Sequence, residues 1–151
     1  ITAMALDLMH ADAIAAHHPG ARPRGSVTSG GTESIITAVL MYRDRARAEK
    51  GITRPQMILP RTAHPAFEKG GHLFGVEVVH APVDPETTLV DVDFVRDHIT
   101  ADTVMLVGSA CNYPYGTIDP IAELSELALA HDVGLHVDAC LGGFVLPFGE
   151  E

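Results

Sequence analysis

Hydrophobic and polar positions follow two alternating patterns along this chain, one typical of helices and one of buried strands. Positions with helical spacing predict helices over residues 1–18, 32–50, 63–74, 92–98 and 118–131. Short continuous apolar runs predict strands at residues 57–59, 76–80, 104–107 and 135–139. Because helices and apolar strands alternate, the pattern predicts an α/β fold: a three-layer, mostly parallel sheet with helices on both faces.

A segment rich in proline and glycine separates the first predicted helix from the rest of the chain. Residues 19–28 hold two prolines, two glycines and two arginines, which favour an irregular connection. The sequence therefore predicts two parts. Residues 1–24 form an N-terminal helix with an irregular lead-in, and residues 25–151 form the α/β domain.

Composition excludes several classes of protein. The 151 residues are 46% hydrophobic and 20% charged, as in a packed globular domain. A net charge of −10 disfavours nucleic acid and anionic membranes as partners. The nine histidines are scattered without metal-site spacing, and no apolar run approaches the length of a membrane span. With only two cysteines, a reducing compartment is expected, and hence a cytoplasmic location.

Two adjacent glycines precede the longest predicted helix, in the stretch Ser-Gly-Gly-Thr-Glu-Ser at residues 29–34. Glycines let the main chain approach a ligand closely, and a helix start offers unpaired N–H groups and partial positive charge to an anion. One interpretation is a cradle for the phosphate of a cofactor, pyridoxal phosphate in particular. The other is a glycine-containing turn with a Thr or Ser N-cap and an acidic first turn.

Polar residues follow several predicted strands at the point where each strand ends. His64 follows the strand at 57–59, Asn112 follows the strand at 104–107, and Asp138 lies late in the last strand. Ligands of open α/β sheets bind beyond the carboxyl ends of the strands. The sequence therefore predicts a binding site at this edge of the sheet.

Asp138 and His64 each allow a structural and a functional interpretation. Asp138 shares a strand face with His136, and a buried carboxylate needs a partner. It either caps the turn at residues 141–143 or pairs with a protonated pyridine nitrogen of a cofactor. His64 precedes Pro65 at a helix entrance, where it is either structural or placed for stacking or acid–base chemistry.

Four stretches together resemble the sphingosine phosphate lyase family, which belongs to the pyridoxal-phosphate enzymes related to group II amino-acid decarboxylases (fold type I). They lie at residues 26–34, 64–67, 112–117 and 136–144, in the order the family has them. The Gly-Gly-Thr and His-Val-Asp-Ala pieces are shared with the decarboxylases. Residues 140–144 and 112–117 are more similar to the lyases.

The resemblance implies roles for particular residues. Gly31 and Thr32 would hold the phosphate of pyridoxal 5'-phosphate, His64 would stack on its ring, and Asp138 would pair with the ring nitrogen. Asn112 would lie near the substrate. The implied reaction is retro-aldol cleavage of a phosphorylated long-chain amino alcohol to a fatty aldehyde and phosphoethanolamine. A homodimer is expected for the full-length protein.

The chain departs from the family in its lysines. The chemistry needs a lysine that bonds covalently to the cofactor, and this chain has only Lys50 and Lys69. Lys50 lies about 27 Å along the helix from Thr32, and Lys69 lies about 140° around its helix from His64. The family's His-Lys motif lies beyond the strand of Asp138. We therefore expect the chain to be a fragment of the large domain, inactive by itself.

Three alternatives remain at the level of the sequence. One is an amino-acid decarboxylase with the same cofactor. Another is a truncated, catalytically silent module for binding or dimerisation. A nucleotide-binding domain is disfavoured, because neither common glycine-rich nucleotide motif occurs in the chain.

Overall fold

The computed structural model describes residues 1–149 as one sheet with surrounding helices. Helices are α1 (Thr2–Leu8), α2 (Ala11–His17), α3 (Gly31–Lys50), α4 (Ala66–Phe74), α5 (Val92–His98) and α6 (Ile121–Ala130). Strands are β1 (Gln56–Pro60), β2 (Glu77–Ala81), β3 (Thr103–Ser109) and β4 (Gly134–Asp138). A short 3₁₀ turn spans Leu146–Phe148. No helix in this part of the chain is long and apolar enough to cross a membrane.

The four strands form a parallel sheet in the order β2-β1-β3-β4. Helix α4 connects β1 to β2 in one direction, and α6 connects β3 to β4 in the other. The strand order therefore reverses between β1 and β3. In open α/β sheets this reversal opens a crevice at the carboxyl ends of the strands.

Helices cover both faces of the sheet, which confirms the predicted three-layer fold. Neighbouring residues of one strand enter different cores, since side chains alternate along a strand. Met57 packs with α3 and α4 in one core, whereas Ile58 packs with α5 and α6 in the other. Both side chains are almost fully buried. Burial on both faces explains why the strands read as continuous apolar runs.

Two helices begin later than predicted, at the residue that follows a proline. The helix predicted over residues 63–74 begins at Ala66, and the one predicted over residues 118–131 begins at Ile121. In both cases a proline comes directly before, and the residue that precedes a proline disfavours helical angles. Helix α5 has the predicted bounds, with an Asp91 side chain that accepts the Phe94 N–H at 2.9 Å.

The single helix predicted over residues 1–18 is wrong. The structure has two short helices there, because His10 adopts a left-handed conformation with φ of 54°. Ala11 in the second helix is buried, whereas Met4 in the first is exposed. Apolar spacing continues across the break, so periodicity alone does not reveal it.

Candidate functional site

A cavity of about 380 Å³ lies at the carboxyl ends of β1, β3 and β4, where the strand order reverses. It brings together Gly31, Thr32, His64 and Asp138, four residues that the sequence predicted for one site. The residues that line it are Gly31, Thr32, Ile35, His64, Ser109, Cys111, Tyr113, Asp138, Cys140 and Leu141.

The start of α3 forms one wall of the cavity. The first hydrogen bond inside the helix runs from the Ser34 N–H to the Gly30 carbonyl at 3.1 Å. The N–H groups of the preceding helical residues have no partner of this kind. No side chain caps the helix, which excludes the interpretation of a Thr or Ser N-cap. The amides of Gly31 and Thr32 are therefore available to an anion in the cavity.

The acidic residue of this first turn is held by the preceding loop. Glu33 Oε2 accepts hydrogen bonds from the Ser29 N–H at 2.6 Å and the Ser29 hydroxyl at 2.5 Å. These two bonds, the hydroxyl first, lower the pKa of Glu33. The Thr28 hydroxyl donates to the Gly30 carbonyl at 3.0 Å. Side-chain hydrogen bonds thus fix the shape of the loop without occupying the helix start.

Cys140 connects the helix start to Asp138. A methyl group on Gly31 would lie 3.2 Å from Cys140 Sγ, a tight contact to which the thiol would have to yield by a few tenths of an ångström. The Cys140 N–H donates to Asp138 Oδ1 at 3.1 Å. Burial, together with the Asp138 carboxylate, raises the pKa of the Cys140 thiol to about 11. The thiol is consequently protonated at neutral pH.

Asp138 is a buried carboxylate, 9% exposed, at the end of β4. Its Oδ1 accepts the Cys140 N–H, one residue before the turn at 141–143 that it was predicted to cap, and it has no cationic side-chain partner among residues 1–149. Beneath it, the His136 ring packs edge-on against Phe67 at 5.5 Å. Burial lowers the pKa of His136 more strongly than Asp138 raises it. The site can therefore accommodate a cation that faces Asp138 from the cavity.

His64 combines a structural contact with a position at the cavity. Its Nδ1 accepts the N–H of Ala66 at 3.1 Å, which satisfies one free amide at the start of α4. Its ring also lies 5.7 Å from the Tyr113 ring, at an interplanar angle of 60°. These two contacts orient the imidazole, which is exposed, beside the cavity.

Asn112 is not among the residues that line the cavity. It is 1% exposed, and its Oδ1 accepts the Tyr115 N–H at 3.0 Å, while its backbone N–H donates to the Thr117 carbonyl at 2.8 Å. The side chain thus organises the loop after β3. Its predicted place near the substrate stays a prediction.

The lysines lie away from the cavity. Lys50 Nζ lies 2.8 Å from Asp132 Oδ2, near the start of β4 and so at the opposite end of the strands. Lys69 is exposed on α4. Within residues 1–149, no lysine lines the cavity, as the spacing predicted.

Several cavity residues received no individual role from the sequence. Ser109, Cys111, Tyr113 and Leu141 line the cavity because β3 and β4 end side by side. The position of residues 109–112 directly after a strand could have indicated that they lie at the cavity. The strand register that sets Ser109 opposite Asp138 depends on the tertiary fold, and no local pattern in the sequence indicates it.

The fold and the site together define a class of protein. A parallel sheet between helices, with a helix start and a buried aspartate at its carboxyl edge, is the large-domain architecture of the fold type I pyridoxal-phosphate enzymes. Glutamate decarboxylase of Lactobacillus brevis has the same fold, with a TM-score of 0.75 and 23% sequence identity. The match covers 99% of this chain and 35% of that one.

The chain belongs to the aminotransferase class-V family, whose family model matches residues 25–143. It is similar to the solved sphingosine-1-phosphate lyase of Burkholderia pseudomallei, with 59% identity and a TM-score of 0.96 over 98% of this chain and 34% of that one. It is 50% identical to sphingosine-1-phosphate lyase of Drosophila melanogaster over 85% of this chain. The Arabidopsis thaliana enzyme is also 50% identical, over 84% of this chain.

The matched relatives are much longer than this chain. The chain covers 24% of the Drosophila enzyme and 23% of the Arabidopsis enzyme. The similarity therefore concerns the part of those enzymes that corresponds to the sheet and cavity described above.

Proposed function

We propose that this chain is the cofactor-binding part of a pyridoxal-phosphate-dependent carbon–carbon lyase that cleaves a phosphorylated sphingoid base. The observation that carries the proposal is the 59% identity, over 98% of the chain, to a protein described as a sphingosine-1-phosphate lyase. The products would be a fatty aldehyde and phosphoethanolamine.

The cavity residues fit pyridoxal 5'-phosphate. The free amides of Gly31 and Thr32 suit its phosphate, since no side chain caps the helix start. Asp138 has no cationic partner in the described chain and suits a protonated ring nitrogen. His64 presents a ring that a hydrogen bond to the Ala66 N–H orients at the cavity. The volume of about 380 Å³ lies within the usual range of cofactor pockets.

The chemical work is divided between the cofactor and this chain. The bound cofactor supplies an electron-accepting ring for the electrons released when the carbon–carbon bond breaks. Asp138 would pair with the ring nitrogen and favour its protonated form, which maintains that capacity. The amides of Gly31 and Thr32 would hold the phosphate. His64 would lie against the ring.

The proposal requires a lysine from elsewhere in a longer polypeptide. Neither Lys50 nor Lys69 is placed at the cavity. The matched part is only 24% and 23% of two of the relatives, which have room for such a residue outside it. We also propose a homodimer in the cytoplasm. The resemblance supports the dimer, and the two free cysteines support the compartment.

An amino-acid decarboxylase is the second candidate, since the same fold and a similar site serve that chemistry. Its support is weaker, because the decarboxylase from Lactobacillus brevis is only 23% identical. A catalytically silent module is the third candidate.

One assay separates the three candidates. The full-length protein, loaded with pyridoxal 5'-phosphate, is incubated with a phosphorylated sphingoid base and, separately, with glutamate. We expect a long-chain aldehyde from the first and no carbon dioxide from the second. Carbon dioxide without aldehyde would support the decarboxylase, and neither product would support the silent module.

A further inference from the structure

The two cysteines of the chain line the same cavity. Cys111 follows β3 and Cys140 follows β4, and both thiols are free. Cys140 is exposed and Cys111 is half-buried, so a small molecule in solution can reach both through the cavity. Two accessible thiols in one cavity form a candidate site of reversible oxidation.

Backbone hydrogen bonds hold the segments of the two cysteines side by side. The pairing of β3 with β4 continues one residue beyond β3, where the Ala110 N–H donates to the Asp138 carbonyl at 2.9 Å. The Ala110 carbonyl accepts the Gly142 N–H at 3.1 Å. The residue before Cys111 is therefore bonded to residues on both sides of Cys140. Paired strands lie about 4.8 Å apart, within the range of about 4.4–6.8 Å between the Cα atoms of a disulfide.

The environment of Cys140 assigns the two thiols different parts in an oxidation. Burial first, and then the Asp138 carboxylate, raises the pKa of the Cys140 thiol to about 11. A protonated thiol is a poor nucleophile, so Cys140 does not react first with an oxidant at neutral pH. The first oxidation therefore falls to Cys111, and Cys140 is the neighbour that resolves the oxidised sulfur.

We propose that Cys111 and Cys140 form a reversible disulfide across the cavity when the cavity holds no cofactor, and that this bond prevents the binding of pyridoxal 5'-phosphate. The disulfide itself is independent of the proposed function, whereas its effect on cofactor binding rests on that function. In a reducing compartment such a bond is transient, as regulatory disulfides are.

A peroxide supplies the oxidising equivalents. The Cys111 thiol loses its proton and its sulfur attacks one oxygen of hydrogen peroxide. An S–O bond forms, the O–O bond breaks, and the hydroxide takes up that proton as water. The Cys140 sulfur then attacks the Cys111 sulfur, so that the S–S bond forms, the S–O bond breaks, and the hydroxide leaves with the Cys140 proton as a second water. Two thiols and one hydrogen peroxide thus give one disulfide and two waters, and a dithiol reduces the bond again.

The bridge would lie in the space that the cofactor needs. The Cys140 N–H binds Asp138 Oδ1, so a bond from Cys140 to Cys111 lies beside the carboxylate that suits the ring nitrogen. The bond would also draw Cys140 Sγ away from Gly31, next to which it lies at the start of α3. A cofactor that occupies the cavity should conversely keep the two sulfurs apart and protect them.

The test treats the full-length apoprotein with hydrogen peroxide, removes the excess with catalase and maps the bridge by mass spectrometry. Digestion after glutamate cuts at Glu123 and Glu126 and so separates the cysteines, whereas no lysine or arginine lies between them. We expect a linked peptide that is lighter by two hydrogen atoms than its two free parts. Affinity for pyridoxal 5'-phosphate, from absorbance titration, should fall about tenfold or more and return with dithiothreitol. Protein loaded with the cofactor beforehand should form the bridge more slowly.

Cys111→Ser and Cys140→Ser are the matched controls, each compared with itself before and after peroxide. Neither variant can form the bridge, so both should retain more of their cofactor affinity after peroxide than the unaltered protein does. If Cys140→Ser loses as much affinity as the unaltered protein, oxidation of Cys111 alone blocks the cavity and the inference is wrong.

Two further outcomes would overturn the inference. One is the absence of the linked peptide from peroxide-treated apoprotein, and the other is a bridge that leaves cofactor affinity unchanged. A failure of the proposed function is recognised separately, because the reduced, unaltered protein would then bind no pyridoxal 5'-phosphate. In that case the mass spectrum still decides whether the bridge forms.

Discussion

Asp138 is the residue on which the chemistry of the cavity depends most. Its carboxylate is buried without a cationic partner in the described chain, and it accepts a backbone hydrogen bond from Cys140. Both interpretations of this residue from the sequence, a turn cap and a partner for a ring nitrogen, are compatible with its geometry.

The charge of Asp138 is tested by Asp138→Asn, which keeps an acceptor for the Cys140 N–H. Removing one partner of a buried ion pair costs about 3–5 kcal/mol, so turnover should fall by about 100-fold or more. Steady-state kinetics of the full-length enzyme measures the loss, and the melting temperature serves as the control for folding. Turnover close to that of the unaltered enzyme would remove Asp138 from the mechanism.

The contact between Gly31 and Cys140 predicts a steric effect at the cradle. In Gly31→Ala the new methyl group would lie 3.2 Å from Cys140 Sγ, so the helix start or the thiol must shift. We expect about tenfold weaker binding of pyridoxal 5'-phosphate, measured by absorbance titration.

Gly30→Ala is the matched control for that variant. A methyl group on Gly30 would meet no atom within 4 Å. It should leave cofactor affinity nearly unchanged. Equal losses in both variants would show that helix propensity, rather than the contact with Cys140, causes the effect.

The thiol of Cys140 should react slowly with alkylating reagents at neutral pH. Its pKa is raised to about 11. The fraction of reactive thiolate, and with it the alkylation rate, should therefore rise about tenfold per pH unit until the pH approaches that pKa. Mass spectrometry of the Cys140 peptide after timed iodoacetamide treatment gives the rates. Protein unfolded in urea should reach a plateau near the ordinary pKa, about 8.5. A plateau near pH 9 in the folded protein would contradict the environment described for Cys140.

Helix α3 packs closely against strand β4 at the end of the sheet opposite the cavity. The Tyr42 hydroxyl donates to the Leu135 carbonyl at 2.7 Å, and burial raises the pKa of Tyr42. A methyl group on Gly134 would lie 2.0 Å from the Tyr42 ring. A glycine at this position therefore sets how closely the helix approaches the sheet.

This packing predicts a loss of stability without a loss of binding. Gly134→Ala should lower the free energy of unfolding by about 1–3 kcal/mol, as overpacking does. Tyr42→Phe should cost about 1 kcal/mol, because it removes one hydrogen bond and keeps the ring. Chemical denaturation of the full-length protein measures both. Cofactor affinity should be unaffected in both variants. If either variant changes it more than Gly30→Ala does, the packing at this end of the sheet is not independent of the cavity at the other end.

The elements that the sequence predicted well are those whose signal is local. The apolar runs of β1 and β3 and the spacing of α3 each lie within one stretch of chain, so composition and periodicity reveal them. The break at His10 was missed, because a single left-handed residue leaves apolar spacing unchanged. The prolines before α4 and α6 shortened helices whose apolar pattern extends further.

The residues of the candidate site likewise fall into those with a local sequence signal and those without one. Gly31 and Thr32 have a motif, and His64 and Asp138 lie at strand ends, so the sequence brought them together. The contact between Asp119 and Ser109 and the loop bond of Asn112 join residues in a geometry that only the folded loop defines. No spacing rule indicates such hydrogen bonds.

At the scale of the whole molecule, the described residues hold a cradle and a buried carboxylate but no lysine at the cavity. We therefore expect residues 1–151 alone to bind pyridoxal 5'-phosphate weakly and to show no turnover. Borohydride treatment of this piece with the cofactor should fix no stoichiometric adduct, by mass spectrometry. The full-length protein is the positive control. Stoichiometric labelling at Lys50 or Lys69, together with turnover, would contradict the account.

The most direct test of the central claim is a crystal structure of the full-length protein with pyridoxal 5'-phosphate. The account predicts the phosphate within about 3 Å of the Gly31 and Thr32 N–H groups and the ring nitrogen at hydrogen-bond distance from Asp138. The His64 ring should lie against the cofactor ring. A cofactor bound elsewhere, or bound in this cavity with its phosphate away from the start of α3, would contradict the account.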